Sequence, residues 1–160
     1  MARLDPQALV THLDRLYRAA WGLCGSREDA EDLVQETAAR VLARPRRLHG
    51  QDELAYLMRA LRNTFLLTRR TASRRPQVRA TLDELDPADV RSGRQPEAAL
   101  VARELFAAIA ALPEDFRLAI VAVDVVGLSY REAADALDTQ EATIASRLHR
   151  ARERVVRALA

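Results

Sequence analysis

The residues of this chain that could do chemistry are mostly its charges. Between Arg27 and Glu36 there are five acids, Glu28, Asp29, Glu31, Asp32 and Glu36, against one arginine. From Arg59 to Arg79 there are seven arginines (59, 62, 69, 70, 74, 75 and 79) and no acid. Ala142 to Ala160 carries five arginines and one glutamate. Cations crowded in this way repel one another unless a polyanion or an acidic partner is near, so the two basic stretches point to binding, and nucleic acid is the natural ligand. All 25 basic residues of the chain are arginine, so every cation is a planar fork suited to phosphate or carboxylate. The net charge of +2 hides this, because it sums unlike surfaces.

Other chemistries are poorly represented. Cys24 is alone, and His12, His49 and His149 lie far apart with no ligand-like spacing. Neither a disulfide framework nor a cysteine-based metal cluster is indicated. With no nucleophile and base pair and no phosphate-cradling glycine loop, the chain reads as a non-enzyme that needs no cofactor. It shows no signal-peptide run and no apolar stretch near the ~18 residues of a membrane span, so a cytoplasmic protein without membrane insertion is expected.

Elements must position these charges. The 160 residues are 49% hydrophobic but only 4% aromatic, with five glycines and six prolines, a composition that favours an all-α fold over a sandwich or barrel. Asp5-Pro6 opens a first helix whose apolar positions are Leu9, Leu13, Leu16, Tyr17, Ala20 and Leu23, ending at Gly25. Ser26 caps a second helix with Ala30, Leu33, Val34, Thr37, Ala38, Val41 and Leu42 inward, stopped by Pro45. After a loop from Pro45 to Gln51, a third helix spans about Asp52 to Thr71, with Leu54, Leu57, Met58, Leu61, Phe65 and Leu66 inward.

From Arg74 to Pro96 the periodicity is lost among prolines and charges, which reads as a flexible linker. A second helical set comes next: Ala98 to Ala111, Pro113 to Val126 ended by Gly127, a short helix to Leu137, and a long last helix. Ser129 and Glu132 form a capping-box sequence at the start of the short helix. The expected organisation is two small helical domains, 1–73 and 97–160, around a linker at 74–96.

The end of the chain has helix-turn-helix spacing: a short capped helix, a turn near Asp138-Thr139, and a helix carrying Thr143, Ser146, Arg147, His149 and Arg150. Ala133, Ala134, Leu137, Ile144 and Leu148 would form the inner faces, leaving Ala145, Ser146, His149 and Arg150 turned outward to a major groove.

Five segments in order carry a family resemblance: Asp29 to Glu36 (DAEDLVQE), Tyr56 to Asn63 (YLMRALRN), Leu112 to Arg117 (LPEDFR), Gly127 to Glu132 (GLSYRE) and Ser146 to Arg152 (SRLHRAR). Together they resemble bacterial extracytoplasmic-function sigma factors over nearly the whole chain. The resemblance implies a dissociable promoter-specificity subunit of RNA polymerase, with region 2 in the first half and region 4 in the second. It implies that Asp32, Gln35 and Glu36 dock on core polymerase. Asn63 would meet a base flipped from the melted minus-10 strand, with Arg59 and Arg62 beside it and the loop Leu48 to Asp52 completing the pocket.

Arg69, Arg70, Arg74 and Arg75 would run along phosphates, and Thr143, Ser146, Arg147, His149 and Arg150 would read the minus-35 duplex, with Arg152 and Arg147 near the backbone or within the domain. Implied partners are core RNA polymerase, promoter DNA and an anti-sigma factor. The sequence departs from the family pattern at Tyr56, Leu67, Asp138, Ala142 and Ala145, the last removing a common cation from the DNA side. Two rival readings are a one-component helix-turn-helix regulator and a helical adaptor for acidic partners.

Overall fold

A computed structural model describes residues 2–44, 47–48, 53–72 and 96–160. The linker segment 73–95 and the loop positions 49–52, with Arg74, Arg75 and Arg79 among them, lie outside the described residues. The elements are β1 (Ala2–Arg3), α1 (Pro6–Cys24), α2 (Arg27–Ala43), β2 (Arg47–Leu48), α3 (Glu53–Ala72), α4 (Pro96–Ala110), α5 (Glu114–Ile120) running into a π turn (Val121–Val125), α6 (Tyr130–Ala136) and α7 (Glu141–Leu159). The fold is all-α apart from β1 and β2, which pair antiparallel with Ala2 opposite Leu48. This two-residue ladder was not legible in a loop rich in arginine.

Local signals in the sequence set the helix ends. Asp5 accepts a hydrogen bond from the Gln7 amide at 2.9 Å, and Pro6 takes the first helical position, where its missing N–H costs nothing. Gly25 closes α1 in the left-handed conformation at φ 77°, and Ser26 Oγ accepts from the Asp29 amide at 3.3 Å to open α2. Ser129 and Glu132 form the reciprocal capping box at 3.1 and 3.2 Å. Between α6 and α7, Asp138 adopts φ 54°, which a short polar side chain tolerates in place of glycine.

The buried stripes match the helical period, with two corrections. Leu13 on α1 is 41% exposed and Leu42 on α2 is 47% exposed, both expected inward. Leu9, Leu16, Ala19, Ala20 and Leu23 already cover the inner arc of α1, and Leu13 falls at its edge; Leu42 sits in the last turn of α2, one residue past the last buried position, Val41. Thr37 and Thr64 are buried because each hydroxyl donates to the carbonyl four residues back, at 2.7 and 2.8 Å. The helix expected from Pro113 to Val126 is α only to Ile120. There Val126 N–H reaches Val121 O, five residues back, at 2.9 Å, in a valine-rich run where branching disfavours the α-helix.

The two halves share one core. α1 packs against α2 and α3 and also against α4 and the π turn. Gly22 makes this close approach possible, since a Cβ there would stand 3.1 Å from Val121 Cγ2; at Gly25 it would stand 2.9 Å from Ala110 Cβ. Arg117 of α5 is buried in the seam, donating to Leu23 O at 2.8 Å and Leu112 O at 2.9 Å. Leu23 O belongs to the C-terminal turn of α1, where the helix dipole favours a cation.

Candidate protein and nucleic-acid interfaces

The acidic stretch folds into an exposed edge of α2. Asp32, Gln35 and Glu36 lie three or four residues apart, which puts them on one face, and all three are exposed. They border a groove of about 1000 Å³ whose other walls come from α3, through Leu67, Thr68 and Thr71, and from Cys24 and Arg117. Glu36 pairs with Arg40 at 3.0 Å and Glu31 with Arg27 at 3.1 Å, while Asp32 enters no salt bridge among the described residues. Exposed i,i+4 pairs of this kind are weak and can be given up to a partner. Sequence reading found the acids but not the α3 wall, because the pairing of α2 with the end of α3 is a tertiary choice.

Cys24 lines the same groove yet is a poor nucleophile. Burial, with a contribution from Asp29, pushes its thiol up to about 12, so the reactive thiolate is absent at neutral pH.

On α3 the expected minus-10 residues are present but engaged. The Arg59 guanidinium donates to the Asp135 carbonyl at the end of α6. Arg62 is half-buried, with its Nη1 donating to Asn63 Oδ1 at 3.1 Å and its Nε buried without a partner. Asn63 itself is exposed. Arg69 lies 5.3 Å from the Phe65 ring and pairs with Glu114 of α5 at 3.0 Å, and Arg70 is exposed on the last turn. Two of these cations therefore reach across to the C-terminal half.

Desolvation, and after it the nearby Arg69 charge, lowers the pKa of Arg117, whose two hydrogen bonds go to carbonyls rather than to a carboxylate.

The helix-turn-helix is built as its spacing required. Ala133, Ala134, Leu137, Ile144 and Leu148 are buried between α6 and α7, and Ala145, Ser146, His149 and Arg150 are exposed. Thr143 is half-buried near the start of α7. Arg147 Nη2 lies 3.6 Å from Asp115, and His149 Nε2 lies 3.5 Å from Glu153. Arg150 has no salt bridge among the described residues, so its guanidinium is available to a base edge or phosphate.

Comparison with known proteins decides what these surfaces belong to. The Sigma-70 region 2 model matches residues 9–75 and the Sigma-70 region 4 model matches residues 102–155. The chain is 34% identical over 143 residues to the ECF RNA polymerase sigma factor EcfG of Rhodopseudomonas palustris, covering 85% of this chain and 74% of that one. The chain belongs to the extracytoplasmic-function sigma factors of RNA polymerase.

Another relative of this family, the sigma factor SigE of Mycolicibacterium smegmatis, is 34% identical over 146 residues; the match covers 90% of this chain but 57% of SigE. Among solved structures, the sigma factor RpoE from Bartonella quintana, crystallised with the anti-sigma factor NepR, superposes with a TM-score of 0.75 at 26% identity, covering 96% of this chain and 94% of RpoE. CnrH, solved in complex with the cytosolic domain of CnrY, shares the fold at a TM-score of 0.61 and 23% identity, over 96% of this chain and 85% of CnrH. The matched segments place region 2 on α1 to α3 and region 4 on α4 to α7 of this sigma factor.

Proposed function

We propose that this protein directs core RNA polymerase to specific promoters and helps to melt them. The observation that carries the reading is the presence on one chain of an exposed acidic edge, at Asp32, Gln35 and Glu36, and a helix-turn-helix that turns Ser146, His149 and Arg150 outward. The acidic edge suits a basic helical surface of core polymerase. The second helix of the helix-turn-helix suits the major groove of the minus-35 element, with Thr143 and Arg147 at its margin. Polymerase performs the chemistry, and the protein acts as an initiation factor in the cytoplasm. No helix among the described residues is long and apolar enough to cross a membrane.

The minus-10 step falls to α3. Flipping a base costs a few kcal/mol of unstacking, so a melted strand stays open only if the extruded base is stacked and hydrogen-bonded. Asn63 has the paired donor and acceptor for that task. Arg59, Arg62, Arg69 and Arg70 add backbone affinity that falls with salt. The domain limits 1–73 and 97–160 fit these assignments. An anti-sigma factor is the natural repressor, since RpoE and CnrH were each solved with a bound partner.

This reading requires the halves to part. Elements centred at minus-35 and minus-10 are roughly 85 Å apart at 3.4 Å per base pair, whereas Arg59 of α3 is bonded to Asp135 of α6. Separation frees Arg59 and Arg69 together.

The test is run-off transcription with core polymerase and a genomic promoter library. Initiation that depends on the added protein is expected, and a failure to initiate at any promoter rejects the assignment. The one-component regulator is the reading that would then remain, and it predicts no capture of core polymerase.

A further inference from the structure

The sequence offers five arginines on α7 for DNA, but the structure distributes them unequally around the helix. At 100° per residue, with Ser146 set at 0°, Ser146, His149 and Arg150 fall between about −60° and +40°. The buried residues Ile144, Leu148, Ala151 and Val155 fall between about 140° and 200°, opposite that face. Arg147 and Arg154 lie on one flank, near 100° and 80°, and Arg152 lies on the other, near 240°.

Both flanks are held by α5 and the π turn. On the first, Arg147 lies 3.6 Å from Asp115, and the Arg154 guanidinium sits 5.0 Å from the Phe116 ring centroid. On the second, Arg152 Nε donates to Asp124 Oδ2 at 2.9 Å and its Nη2 donates to Asp124 Oδ1 at 2.7 Å. This fork occupies both carboxylate oxygens, so it constrains angle as well as distance. The apolar contacts of Ile144, Leu148 and Ala151 beneath α7 set which arc faces the core, and the fork adds a directional restraint to that packing. Asp124 itself belongs to the π turn that ends the α5 run.

We infer that Asp124 is a positioning residue for minus-35 recognition: it holds Arg152 off the DNA and sets the rotation of α7 about its axis, so that Ser146, His149 and Arg150 meet the groove. The inference rests on the proposed promoter-binding function. The pair is half-exposed, at 50% and 36% of the side chains, and surface pairs add little to global stability. Its effect is on orientation, so it should be seen in promoter choice and scarcely in melting temperature.

The experiment uses the full chain with core polymerase on a promoter fragment selected by the unsubstituted holoenzyme, and on the same fragment with its minus-35 element scrambled. Asp124→Asn and Arg152→Gln should each lower the discrimination between the two fragments about tenfold. The midpoint of thermal unfolding and the capture of core polymerase should stay close to the parent's. The exchange variant Asp124→Arg with Arg152→Asp should recover most of the discrimination.

Recovery by the exchange variant is a readout that a direct DNA contact by Arg152 would not give, because that variant places a carboxylate at position 152. The inference is overturned if the exchange variant recovers none of the discrimination that Arg152→Gln loses, or if Asp124→Asn keeps full discrimination. If the unsubstituted protein initiates nowhere, the sigma assignment fails first and this inference falls with it.

Discussion

The two arginine-rich helices, α3 and α7, differ in where their cations go. On α3, Arg59 and Arg69 reach the other half of the molecule, at Asp135 and Glu114. On α7, Arg147, Arg152 and Arg154 are held within their own half, at Asp115, Asp124 and Phe116. The last helix is thus braced within its own half, whereas α3 has Arg59 and Arg69 engaged by the C-terminal half. Similar charge densities along the chain serve different ends: one set of arginines holds a helix in place, and the other joins the two halves of the molecule. Local charge counts cannot distinguish these cases, because the partners are 76 residues away for Arg59 and 45 for Arg69.

The largest expected effect tests whether the halves are one cooperative unit. Leu16→Ala in α1 and Leu148→Ala in α7 each empty a fully buried site, and each should cost about 2–5 kcal/mol. Because the core is continuous through α1, each should lower a single unfolding transition monitored by circular dichroism. Two separated transitions would show that the seam contributes nothing to cooperativity.

Next is Arg117→Met, which removes the donor for the Leu23 and Leu112 carbonyls and should cost about 2 kcal/mol in denaturant unfolding. A loss well under 0.5 kcal/mol would mean water replaces the guanidinium at little cost, and that the seam is loosely held.

Asp32→Asn probes the acidic edge of α2. It should weaken capture of core polymerase roughly tenfold, about 1.4 kcal/mol, with the unfolding midpoint unchanged, because the carboxylate is exposed and in no salt bridge among the described residues. Unchanged capture would separate the acidic edge from polymerase binding.

The smallest effect concerns Cys24. Burial raises its thiol from the ordinary 9.0 to about 12 in the folded chain, so well below pH 9 it is neutral in both states and does not alter stability, while near pH 8 only the unfolded chain begins to expose thiolate. Above pH 9 the unfolded chain loses the proton first and stability declines with rising pH. Alkylation at pH 8 should accordingly be slow in the native protein and rapid in denaturant. Equal rates would place the thiol in solvent.

Much of the molecule was legible in the sequence because its signals are local. Asp5-Pro6, Gly25, Ser26, Ser129 with Glu132 and Asp138 all act within a few residues, and each marks the boundary or turn that its chemistry predicts. The outward face of α7 was legible for the same reason, since burial of Ile144 and Leu148 leaves only one arc for Ser146, His149 and Arg150. The family itself was legible in five short motifs in order. The π turn escaped because its cue, a run of valines, is also an ordinary core segment. The exposure of Leu13 and Leu42 escaped because periodicity assigns a face without fixing how wide or how long its buried part is.

The sequence by itself determined an all-α chain with two halves, an acidic edge on α2, basic helices and a helix-turn-helix, because caps, period and charge are properties of neighbours along the chain. Only the tertiary structure decided which arginines are available. Arg59, Arg69 and Arg117 bind across the seam, Arg152 is held by Asp124, and Arg150 remains open to a ligand. A guanidinium takes whichever carboxylate or carbonyl the packing brings within about 3 Å, and that choice is made by how helices stack.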